Sequence, residues 1–181
     1  MYRTIFFMLI AVGLSACSTL PENLHSENTN LITSYQQWQQ SGFAAESEVR
    51  IGGVIASVTN LSDRTRIEIV NLPVDTNGKP DLSVLPEKRF SAYVEGYLEP
   101  VALAKGRLIT VLGASHGQEQ IKVGDFSMTI PVIQAAAFHL WRIEERVVFD
   151  QDSPLMFPCW GINCRNIRQY PSSGKVIQEV K

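Results

Sequence analysis

The sequence predicts an all-β protein, a small antiparallel barrel preceded by a short helix and followed by an irregular C-terminal tail. Three observations carry this reading. Runs of about eight residues with period-two alternation recur between residues 49 and 149. Turn signals rich in Gly, Pro, Asn and Asp separate them. No amphipathic helix intervenes, as a parallel βαβ sheet would require. Five or six strands, the first bent by Gly52-Gly53, suit an OB-like barrel. A bent strand serves two sheets and leaves few edges open. A jelly-roll-like or lipocalin-like barrel competes, but eight strands are hard to find.

The chain begins with one positive charge, Arg3, and an uncharged apolar run from Ile5 to Leu14. That run is too short for a helix crossing a bilayer, which needs about 20 apolar residues. It has the length of a signal-peptide apolar region. Leu14-Ser15-Ala16-Cys17 follows, in the pattern of a bacterial lipoprotein processing site. Residues 1–16 are therefore expected to be a signal peptide cleaved between Ala16 and Cys17. Cys17 is expected to carry a thioether diacylglycerol and an amide-linked acyl chain (palmitate is typical of the class). One chain gives marginal membrane binding, whereas two anchor stably. Ser18 in place of Asp points to the outer membrane and its periplasmic face.

Residues 17–30 are polar and rich in turn formers, which predicts a tether between lipid and domain. His25 lies in it and is expected to be solvated. Leu31, Tyr35 and Trp38 fall on one face of a short helix that Gly42 stops. The barrel domain, with this helix, is expected over 31–150.

Val49 to Val58 is a strand whose adjacent glycines predict a bulge, a bend or close backbone approach. Asn60 to Asp63 is a turn. Arg64 to Leu72 alternates Thr65, Ile67 and Ile69 against Arg66 and Glu68, completing a hairpin. Pro73 to Pro86 is a loop, because prolines at that density exclude a central strand. Arg89 to Leu98 is a strand, and Val101 to Gly106 a connector with one turn of helix. Arg107 to Ser115 is a strongly apolar strand that His116-Gly117 turns. Glu119 to Val123 and Phe126 to Ile133 flank a tight turn at Gly124-Asp125. Gln134 to Phe149 is one more extended segment.

Residues 151–181 are expected to form a disulfide loop and a flexible tail. Cys159 and Cys164 are the only cysteines besides Cys17. An even pair in an oxidising compartment predicts a local disulfide. Ser172-Ser173-Gly174 predicts a frayed end.

Composition narrows the function. The chain has 16 basic and 18 acidic residues, and cleavage would remove Arg3. No basic excess draws it to nucleic acid. No cofactor motif, G-x-S-x-G nucleophile or phosphate-cradling glycine loop occurs. The three histidines, His25, His116 and His139, do not combine with the cysteines into a metal site. Ser115-His116 cannot form a triad, since neighbours on a strand point to opposite sides. Glu144, Glu145, Asp150 and Asp152 read as a solvated patch. No catalytic residue is expected. Tyr93, Tyr97, His139 and Trp141 form a candidate ligand face, because OB-like barrels also bind oligosaccharides.

Several blocks together resemble the Slp family of outer-membrane lipoproteins, the starvation-inducible lipoprotein group. They are Val49-Arg50-Ile51-Gly52-Gly53, Leu72-Pro73-Val74-Asp75, Gly78-Lys79-Pro80 and Arg89-Phe90. Gly96-Tyr97-Leu98-Glu99-Pro100, Gly106-Arg107, Thr110-Val111, Gly113, Ile130-Pro131-Val132 and His139-Leu140-Trp141 follow in order. The resemblance implies an outer-membrane lipoprotein with no active-site residues to carry over. It implies a non-catalytic structural or interaction role in the envelope, related to stress or stationary phase, with an envelope protein or glycan as partner. The alternative is a periplasm-facing binder of a small ligand or glycan.

Overall fold

The computed structural model describes residues 20–149 and 174–181. Among the described residues, 20–141 form one compact unit, and 142–149 with 174–181 form a second. The expected cleavage site, Cys17 and the Cys159–Cys164 pair lie outside the described residues.

The first unit is built from five strands: β1 (Glu48–Asn60), β2 (Arg64–Leu72), β3 (Arg89–Glu95), β4 (Leu108–Val123) and β5 (Phe126–Trp141). They close into a barrel in the order β1-β2-β3-β5-β4, with β4 returning to β1. All neighbours are antiparallel except β3 and β5, which pair in parallel at Ser91–Val132, Ala92–Ile133 and Tyr93–Gln134. That order and single parallel contact define an OB-like barrel. Alternation decides the faces. Ile67 and Ile69 point inward with Ile51, Ile55, Phe90, Ala92, Ile109, Val111 and Ile133. Arg66 and Glu68, which alternate with them on β2, remain partly exposed.

The core is plugged at both ends. The short helix α1 (Tyr35–Gln40) brings Trp38, fully buried, against Phe90 near the start of β3. The connection from β3 to β4 supplies Leu103 at the other end. This connection carries the expected single turn, not continued into a helix: the Ala102 and Leu103 amides both donate to the Glu99 carbonyl.

The adjacent glycines of β1 mark close approach. A Cβ at Gly53 would collide with the carbonyl oxygen of Val70 on β2. A Cβ at Gly52 would stand 2.9 Å from Thr110 Oγ1 and meet Val74 of the loop after β2. Further on, the β1–β2 register shifts between Ile55 and Ser57.

Four expectations are corrected. His116-Gly117 does not end a strand. β4 runs through it for 16 residues, because pairing with β5 continues on both sides and a register shift between Ser115 and Gln118 absorbs the irregularity. Pro131 sits at that same irregularity, where a missing amide is tolerated. Residues 134–141 are not a new segment but the second half of β5. The C-terminus is not frayed throughout: β6 (Ile143–Phe149) and β7 (Gly174–Val180) pair as an antiparallel hairpin, which forms the second unit. Residues 20–30 are not a free tether. They carry a 3-10 turn at Glu22–Leu24, and Leu24 is fully buried.

Candidate functional site

The docked N-terminal segment is the feature that ties the barrel to its expected anchor. Leu24 is fully buried where the 3-10 turn that carries it meets β4 and β5. Leu72, Leu108, Leu112 and Trp141, all buried, do not belong to the interior core. Gly78 of the β2–β3 loop meets the segment there. A Cβ on it would lie 2.9 Å from Leu20 and 3.4 Å from Leu24. Its φ of +78° also favours glycine.

Polar contacts complete the clamp. Asn23 Nδ2 donates to the Phe138 carbonyl at 2.7 Å, and Arg50 Nη1 to the Leu24 carbonyl at 3.2 Å. Ser26 donates to Glu48 at 2.8 Å. Beneath the clamp, the Trp141 indole donates to Thr110 Oγ1 at 2.9 Å, and the Thr110 hydroxyl donates to the Gly78 carbonyl at 2.6 Å. Trp38 uses the same device: its indole donates to Ser115 Oγ, and that hydroxyl donates to the Phe43 carbonyl. Both of these indole N–H groups are thus satisfied by a hydroxyl that in turn donates to a backbone carbonyl.

A charged network covers the outer side of β2 and β3. Arg66 Nε and Nη2 donate to Glu119 Oε1 at 2.9 and 2.8 Å, and Arg66 Nη1 donates to Glu68 at 2.7 Å. The Tyr93 hydroxyl donates to Glu119 Oε2 at 2.6 Å. Burial pushes the Glu119 carboxyl upward. The hydrogen bonds from Tyr93 and Arg66, with the Arg66 charge, outweigh it and hold the group below its usual range. The Ser91 hydroxyl is buried without a hydrogen-bond partner. Burial raises the Tyr93 phenol, and Glu119 adds to the effect.

A groove of about 380 Å³ opens between the start of α1 and the β2–β3 loop. Tyr35, Val74, Val84, Leu85 and Lys88 are among its walls. The Tyr35 phenol is pushed up to about 12 by burial and donates to the Arg89 carbonyl.

The candidate ligand residues fall in three environments. Tyr93 belongs to the charged network. Tyr97 stands 68% exposed beyond β3, its hydroxyl donating to Glu99. His139 and Trp141 lie together on β5 with ring centroids 4.5 Å apart, and Trp141 is buried. Burial lowers the His139 pKa. His25 is exposed, with Nε2 3.1 Å from the Leu20 carbonyl oxygen. Among the described residues no three His, Cys, Asp or Glu side chains converge as a metal site, and no helix is long and apolar enough to cross a membrane. Sequence reasoning missed Leu24, Gly78, Thr110, Arg66 and Glu119. A leucine between polar neighbours and the Asn77-Gly78 turn are the only local signals for any of them.

The family described as outer membrane lipoprotein Slp matches residues 14–168. An uncharacterized protein of Haemophilus influenzae is 33% identical over 151 residues, covering 82% of this chain and 81% of that one. The uncharacterized lipoprotein YeaY of Escherichia coli is 30% identical over 142 residues, covering 76% and 72%. Outer membrane protein Slp of Escherichia coli is 27% identical over 136 residues, covering 74% and 72%. Among solved structures, a small single-stranded DNA-binding protein from Streptomyces coelicolor is similar at 18% identity and a TM-score of 0.36. The similarity covers 52% of this chain and 94% of that one.

Proposed function

The chain belongs to the outer membrane lipoprotein Slp family, and from that premise we propose a non-catalytic structural or interaction role in the cell envelope. In this reading the precursor is cleaved between Ala16 and Cys17, Cys17 carries the lipid, and the barrel faces the periplasm. A role in stress or stationary phase belongs to the same reading, by family resemblance.

The observation that carries it is the clamp. A barrel that only needed tethering would gain nothing from burying Leu24 and anchoring residues 23–26 by three side-chain hydrogen bonds. Clamping leaves three peptide steps between Cys17 and the ordered Leu20, a reach of at most about 11 Å. The domain is thereby held at the membrane as an element of the envelope. The charged outer side of β2 and β3 supports a non-catalytic role, because its groups neutralise one another. Arg66 is occupied by two carboxylates, and Tyr93 by one of them. A glycan-binding role on Tyr93, Tyr97, His139 and Trp141 draws no support from this geometry, which pairs His139 with Trp141 but puts Tyr93 and Tyr97 in other environments.

Cys17→Ser tests the anchor. The variant is expected to lose acylation, to remain unprocessed at the lipoprotein site and to leave the outer-membrane fraction. Acylated mass at another residue, or undiminished outer-membrane recovery, would refute it. A Cys159–Cys164 disulfide completes the proposal, supported by an even thiol pair in an oxidising compartment. Denatured protein is expected to take up no alkylating agent at these thiols until reduced. Alkylation of both before reduction would refute the bridge.

A further inference from the structure

We propose that the β2–β3 loop, tipped by Val84 and Leu85, is a second membrane contact that enters the bilayer interface beside the lipid anchor. This rests on the reading of Cys17 as the acylated residue.

The loop presents its apolar side chains outward. Leu85 is 82% exposed and Val84 41%. From Leu82 to Pro86 the tip carries no charge. Apolar side chains left in water this way mark an interaction site when they are held together. Here they are held. Asp75 Oδ1 accepts from the Asn77 and Lys79 amides, each at 2.8 Å. Asp81 Oδ1 accepts from the amide and hydroxyl of Ser83. Val74 bridges to Pro80, and Thr110 fastens the loop through the Gly78 carbonyl.

Chain length selects the occupant. Leu20 rests on Gly78, in the same loop. Three extended residues span at most about 11 Å, so an acyl group on Cys17 places the bilayer surface within that reach of Leu20, whose side chain lies against Gly78. The loop that receives the end of the ordered chain is therefore held within a short chain length of the lipid. A bilayer is the apolar phase available to Val84 and Leu85 at that position. The β3–β4 connection, where Val101 is 80% exposed, lies at the other end of the barrel and has no such tie to the N-terminus.

Photo-crosslinking distinguishes these surfaces. The acylated full chain, with benzoylphenylalanine replacing Leu85 or, separately, Val101, is reconstituted into vesicles of phosphatidylethanolamine and phosphatidylglycerol. Circular dichroism confirms that each retains the barrel. Phospholipid adducts are expected at position 85, several-fold above position 101. Equal adducts at the two positions, no adduct at 85, or an adduct to a second protein chain instead of lipid would overturn the proposal. Flotation of the vesicles reads the anchor separately. Cys17→Ser combined with the position-85 probe is expected neither to float nor to crosslink. If it floats and still yields lipid adducts at 85, the anchor reading fails while the loop contact stands.

Discussion

Leu24→Ala tests whether residues 20–30 belong to the fold or merely lie near it. The side chain is fully buried, against Gly78. Truncating a buried leucine costs about 2–5 kcal/mol, from lost transfer energy and the cavity left behind. The site lies at the surface and can close partly, so about 3 kcal/mol is appropriate here. The remaining ties are three side-chain hydrogen bonds, each worth about 1 kcal/mol net. Against them stands the entropy of ordering the segment, about 1–2 kcal/mol per residue. The segment is thus expected to open locally, and a loss of 3 kcal/mol raises its opening constant about a hundredfold. Native-state hydrogen exchange reads this directly. The amide of Leu24, bonded to the Pro21 carbonyl, and that of Ile32, bonded to the Glu48 carbonyl, are expected to exchange about a hundredfold faster. The core amide of Ile55, bonded to Arg107, is expected to change far less. An acceleration below about threefold, under 1 kcal/mol, refutes the clamp. Equal acceleration at Ile55 refutes the idea that the segment opens independently of the barrel.

Two further perturbations probe the barrel. The Glu119 carboxylate is held below its usual range, so it stabilises the fold at neutral pH, and that contribution is lost as pH falls through about 4 and below. Glu119→Gln is therefore expected to cost about 1–2 kcal/mol at pH 7, discounted for solvent reaching the group. In urea unfolding the gap to wild type should shrink toward pH 3; a gap that stays constant or widens refutes the assignment. Gly53→Ala drives a methyl group into the Val70 carbonyl, and backbone must move to admit it. Overpacking costs about 1–3 kcal/mol, and each kcal/mol lowers Tm by about 2–4 °C in a chain of this size. An unchanged Tm would show that β1 and β2 do not approach as closely as the ladder requires.

The strands were legible because a half-buried strand writes its environment into its own alternation. Ile67 and Ile69 against Arg66 and Glu68 need no partner to be recognised. Gly52-Gly53 likewise announced close approach, and Gly78 a turn. The OB-like architecture followed from counting such runs, and the Slp resemblance from the order of short blocks. Errors arose where a local signal met a longer-range ladder. His116-Gly117 has turn chemistry, yet β4 passes through it because β5 supplies partners on either side. Gly174 to Val180 reads as a weak tail because the strand it joins lies at residues 143–149, far away in sequence.

From the sequence alone came the fold class, the family and the expected processing site, since each is carried by residues adjacent in the chain or by a short period. Tertiary structure alone decided the closure through β3 and β5, the meeting of Arg66 with Glu119, and the docking of residues 20–30. Each of these rests on one or two side chains finding partners many residues away. Leu24 is a single leucine among polar neighbours, and its burial depends on Gly78 and Thr110 having cleared and lined the place where it fits. Composition is an average over a segment, whereas docking is settled by one contact, and that is why a clamp read as a tether.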